Sequence, residues 1–121
     1  MNCNELGIYI HIPFCKQKCY YCDFISYAGK EEKAKAYVQA LIKEIQSYDL
    51  NKYNVTTIYI GGGTPSNIDS KYILEILEEL KQKLTKNETS FSDIEITIEI
   101  NPGTVTKQKL QDYKNAGVNR L

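Results

Sequence analysis

The sequence predicts an α/β fold built on parallel strands, and three observations carry that reading. Alternating, β-branched runs occur at residues 7–12 ("GIYIHI"), 55–60 ("VTTIYI") and 94–100 ("IEITIEI"). A stretch with apolar residues at helical spacing follows each run. The resulting β-α-β-α-β-α order favours parallel strands joined by right-handed crossovers.

Each element has its own signal. In the first strand Ile8, Ile10 and Ile12 share one face and oppose Tyr9 and His11. Ala34, Val38, Leu41, Ile42, Ile45 and Tyr48 then form a helical stripe, with Glu31 and Glu32 where an N-terminal turn favours acids. In the second strand Ile58 and Ile60 oppose Thr57 and Tyr59. Ile73, Ile76, Leu77, Leu80 and Leu84 make the next stripe, with Asp69 or Ser66 as its cap. The polar tract at 85–93, "TKNETSFSD", reads as the flexible connection to the third strand. There Ile94, Ile96, Ile98 and Ile100 oppose Glu95, Thr97 and Glu99. A shorter helix over 106–116 ends at Gly117 as its C′ residue, and "GVNRL" begins a fourth strand that is not completed.

Strand alternation bears on function. Parallel strands covered on both faces read as continuous apolar runs, whereas these keep isoleucine on one face and polar or aromatic residues on the other. The isoleucine face suits the helices. The other face is expected to line water, a ligand or a barrel interior, with a site at the carboxyl ends of the strands.

Composition narrows the setting. A chain of 121 residues, 42% apolar and 25% charged, suits one globular domain. Fifteen basic side chains balance fifteen acidic ones, so no global field attracts nucleic acid or anionic membrane. The opening "MNCNELGIYIHIPFC" has neither a basic leader nor an uninterrupted apolar run, so a cytoplasmic, reducing location is expected. There, cysteines serve better as metal ligands or catalytic groups than as a disulfide framework.

Three of the four cysteines crowd together: Cys15, Cys19 and Cys22 follow the first strand in a C-x3-C-x2-C arrangement. Offsets of four and seven lie on one helical face, so a buried thiol stripe is one reading. A zinc-stabilised α/β binding module without redox chemistry is another, although zinc prefers four ligands and only Cys3 or His11 is available to complete the set. An iron–sulfur cluster is the third. Clusters usually take four thiolates, so three leave one iron without a protein ligand.

The stretch Cys15 to Cys22, "CKQKCYYC", with an aromatic before the last cysteine, resembles the signature of the radical S-adenosylmethionine (SAM) superfamily. Together with "YIHIPFC", "GGGTPS" and "EINPGT", it resembles more narrowly the oxygen-independent coproporphyrinogen III oxidase-like branch, which includes the heme chaperones. The likeness runs from Tyr9 to the final "AGVNRL".

That resemblance implies the N-terminal half of a partial (β/α)6 TIM-type barrel, with residues 1–121 truncated at the fourth strand and inactive in isolation. It implies a 4Fe-4S cluster on Cys15, Cys19 and Cys22 whose open iron takes the amino and carboxylate groups of SAM. Reductive cleavage of the sulfonium then yields a 5′-deoxyadenosyl radical. Gly62, Gly63 and Thr64 are the implied contacts of the methionine ammonium, Glu99 that of the ribose diol, and Tyr9 and Tyr21 aromatic neighbours of the cofactor. His11, which shares the inward face with Tyr9, is the candidate for proton movement. Porphyrin or heme, and an electron donor such as flavodoxin or ferredoxin, are the implied partners. One departure matters: the oxidases proper carry a further cysteine two residues after the last cluster cysteine, where this chain has Asp23-Phe24. That favours the chaperone side of the branch.

Overall fold

The computed structural model describes residues 4–13, 27–50, 53–63, 65, 68–84, 90–100, 103 and 105–121. Strand β1 (Asn4–Ile12) pairs in parallel with β2 (Tyr53–Gly62), and β2 pairs in parallel with β3 (Glu95–Ile98), so the sheet order is β1-β2-β3. Between the strands run α1 (Tyr27–Ser47) and α2 (Ser70–Lys83), and α3 (Lys107–Ala116) follows β3. The α/β parallel architecture expected from the pattern is therefore present.

Isoleucine periodicity builds the core. Ile10, Ile12, Ile58, Ile60, Ile96 and Ile98 are buried, together with Val38 of α1 and Ile73, Ile76, Leu77 and Leu80 of α2. Each such side chain contributes about 1.5–3 kcal/mol relative to exposure. A slip of one residue would turn the whole set outward, so the alternation also holds the register. On the opposite face Tyr9 stays 57% and Tyr59 39% exposed.

Helix ends follow local chemistry with two corrections. Asp69 caps α2, its carboxylate accepting Lys71 N–H at 3.0 Å, while the alternative cap Ser66 lies outside the described residues. Thr106 caps α3 by accepting Lys109 N–H at 3.1 Å, and Gly117 ends that helix at φ 115°, a left-handed backbone that favours glycine. Glu31 and Glu32, however, do not sit in a first turn, because α1 begins at Tyr27 and has no acid there. Tyr48 also leaves the stripe. The helix stops at Ser47, whose hydroxyl donates to the Glu44 carbonyl at 2.6 Å, and Tyr48 turns 55% exposed.

The third strand is shorter than its sequence run. Ile94 closes a 3-10 turn (Phe91–Asp93) and donates its N–H to the Phe91 carbonyl at 3.2 Å, so regular pairing starts one residue later. That turn occupies the end of the polar tract expected to be flexible; residues 85–89 lie outside the described residues. Beyond Gly117 the chain returns to the sheet, and Arg120 forms a parallel bridge with Thr97 where a fourth strand was expected. No described helix is long and apolar enough to cross a membrane.

Candidate functional site

All three strands point the same way, so their carboxyl ends share one edge of the sheet. The register pairs Tyr9 with Tyr59 and Tyr59 with Thr97, and pairs His11 with Gly61. Period-two geometry puts Tyr9 and His11 of β1, Tyr59 and Gly61 of β2, and Thr97 and Glu99 of the third run on the exposed face. Glu99 follows the last residue of β3, and its N–H still donates to the Ile60 carbonyl at 3.0 Å.

The glycine turn closes over the end of β1. Gly63 N–H donates to the Ile12 carbonyl at 2.8 Å. Gly62 adopts φ 115°, and a Cβ there would lie 2.6 Å from His11 Nδ1. Only glycine meets both demands without strain.

Glu99 is held from β2. Its Oε1 accepts Gly62 N–H at 3.1 Å, and its Oε2 accepts the Tyr59 hydroxyl at 2.7 Å. Donation to that carboxylate raises the Tyr59 hydroxyl above its ordinary value, with desolvation adding to the shift, so it remains a donor. The Tyr59 ring stacks on Tyr9, with centroids 5.9 Å apart and planes 19° from parallel. Tyr9 Oη in turn lies 3.2 Å from His11 Nδ1.

Behind this surface Tyr37 of α1 donates its hydroxyl to the His11 carbonyl. Burial is the main cause that raises this hydroxyl, followed by the nearby Glu44 and Tyr9. The bond joins α1 to the end of β1, the two elements between which the cysteine segment runs.

Five site residues named from sequence, Tyr9, His11, Gly62, Gly63 and Glu99, thus converge on one edge. Cys15, Cys19, Cys22, Tyr21, Thr64 and the remaining Cys3 lie outside the described residues. The sequence pattern put Tyr59 on the polar face and Gly61 at the start of the glycine turn, but gave neither a role at the site. Their signal was available: continuing the alternation of β2 past Ile60 keeps Gly61 in the strand and on the face of Tyr59. Tyr37 had no such signal, because its bond to His11 spans 26 positions.

Known proteins resemble this chain in sequence and in fold. The family described as the radical SAM superfamily matches residues 9–121. Heme chaperone HemW of Escherichia coli (strain K12) is 43% identical over 120 residues, covering 96% of this chain and 30% of the relative. Heme chaperone HemW of Buchnera aphidicola (subsp. Acyrthosiphon pisum) is 42% identical over 122 residues, covering 96% and 31%. Among solved structures, coproporphyrinogen III oxidase (HemN) of Escherichia coli, described as a radical SAM enzyme, superposes with a TM-score of 0.78 at 30% identity over 98% of this chain and 27% of that one. The chain therefore spans about a third of the length of the curated relatives it matches. A family match over nearly the whole chain, carried on the same parallel sheet, makes this chain a member of the radical SAM superfamily.

Proposed function

We propose that residues 1–121 are the N-terminal part of a radical SAM core domain that binds a 4Fe-4S cluster and SAM, on the heme chaperone side of the coproporphyrinogen III oxidase-like branch. The observation that carries the reading is the Glu99 carboxylate, held across Gly62 beside the exposed Tyr9 and Tyr59 rings. Such a set fits an adenosyl group: a carboxylate has lone pairs to accept from a diol beyond the two bonds it accepts here, and an aromatic surface packs a base.

In this reading Cys15, Cys19 and Cys22 supply three thiolates, and the fourth iron position is left to SAM. The bound cluster and cofactor supply reductive sulfonium cleavage and hydrogen abstraction. The chain's own residues bind and orient. Backbone groups of Gly62, Gly63 and Thr64 meet the methionine end, Glu99 accepts the ribose hydroxyls, and Tyr9 and Tyr21 pack against the cofactor. His11, hydrogen-bonded to Tyr9 through Nδ1, is the residue for holding or moving a proton beside it. Porphyrin or heme is the proposed larger ligand of the complete protein, with a flavodoxin or ferredoxin as electron donor.

Anaerobic reconstitution of the complete protein with iron and sulfide tests the proposal. A brown cluster whose spectrum changes when SAM is added supports it. Tight zinc binding with no cluster would overturn it in favour of a zinc-stabilised module.

A further inference from the structure

We propose that Tyr59 is a positioning residue for Glu99, its hydroxyl aiming the carboxylate at the ribose diol of SAM. The proposal rests on the reading of Glu99 as the diol acceptor.

The backbone alone does not orient this carboxylate. Glu99 lies one residue beyond β3, and its N–H bond to the Ile60 carbonyl fixes its Cα but none of its side-chain torsions. Two donors do that work, both from β2. Gly62 N–H reaches Oε1 at 3.1 Å, and the Tyr59 hydroxyl reaches Oε2 at the shorter distance of 2.7 Å. Bonds to an ionised acceptor are roughly twice as strong as neutral ones. A carboxylate ordered before binding loses less side-chain freedom when the ligand arrives.

Tyr59 is itself well held. Its ring stacks on Tyr9, and it reaches Glu99 over Gly61. A Cβ on Gly61 would stand 2.7 Å from Tyr59 Cε1 and 2.9 Å from Glu99 Oε1, so the bare glycine is what lets ring and carboxylate meet. One oxygen thus serves each donor, and each keeps a lone pair for one ribose hydroxyl.

The test uses the complete, anaerobically reconstituted protein, with dissociation constants measured for SAM and for 2′-deoxy-SAM, which lacks one diol hydroxyl. Tyr59→Phe keeps the ring and its stack and removes only the hydroxyl. It is expected to weaken SAM binding roughly three- to ten-fold, to shrink the preference for SAM over 2′-deoxy-SAM, and to leave cluster content unchanged. Glu99→Ala should weaken SAM more, and adding Tyr59→Phe to it should cause no further loss. Loss with Glu99→Ala but none with Tyr59→Phe would overturn the positioning role. Equal weakening of both ligands by Tyr59→Phe, or additive losses in the double variant, would do the same by showing a general structural effect. No loss with Glu99→Ala, and no wild-type preference for SAM over its deoxy analogue, would refute the diol reading and this proposal with it.

Discussion

The side chain of Asn119 pairs with Ile96 and Ile94 as a strand backbone would: Oδ1 accepts Ile96 N–H at 2.9 Å, and Nδ2 donates to the Ile94 carbonyl at 2.8 Å. The backbone N–H groups of Asn119 and Arg120 both reach the Ile96 carbonyl, at 3.0 and 3.1 Å. This clamp brings the segment after α3 back alongside β3, where Arg120 bridges to Thr97.

Asn119→Ala removes both side-chain bonds and leaves the Ile96 N–H without this acceptor at a part-buried position. A loss of about 1–3 kcal/mol in unfolding free energy is expected. Urea titration followed by circular dichroism measures it. A loss below about 0.5 kcal/mol would mean that the backbone bonds suffice.

Gly62→Ala places a Cβ against the His11 ring and demands a left-handed backbone of a residue that avoids it. The expected destabilisation is about 1–3 kcal/mol. Displacement of His11 should also break its contact with Tyr9, so the imidazole chemical shifts should move together with the melting temperature.

Cys15→Ala, Cys19→Ala and Cys22→Ala are each expected to abolish the cluster, because three thiolates are the whole protein share of the proposed site. Cys3→Ala should retain it. Iron and sulfide content after anaerobic reconstitution reports the outcome, and equal loss with Cys3→Ala would point to a four-cysteine site.

Asp112 ties α3 to the start of α2, accepting the Ser70 hydroxyl at 2.6 Å and the Gln108 amide at 2.9 Å. The Ser70 bond, and then the Gln108 bond, hold its carboxyl below the ordinary carboxylate value. A depressed folded-state value means the contribution is fully present above the unfolded-state value of about 4 and is lost as pH falls through the folded-state value. Asp112→Asn should therefore flatten the acid limb of the stability profile while changing it less in shape near neutrality. Urea midpoints measured across the acidic range check the sign.

Element order, the parallel sheet, the buried face, the start of α2 and both ends of α3 were legible in the chain. The physical reason is that these are local or periodic properties: alternating isoleucines declare a half-covered strand, and Asp69, Thr106 and Gly117 act within a few residues of themselves. Alternation also put Tyr9, His11 and Glu99 on the polar face of strands that end at one edge, while the roles proposed for Tyr9, Gly62 and Glu99 came from the family resemblance. Tertiary structure alone decided which of these touch. The Tyr59 bond to Glu99 spans 40 positions, and the Asn119 clamp on Ile94 spans 25. Tyr113 is similar: only the packed structure shows that its buried hydroxyl meets no partner among the described residues, where burial pushes it up to about 12. Periodicity tells a side chain which way to face; the distance from its atoms to those of another strand depends on register and twist, which exist only once the sheet has formed.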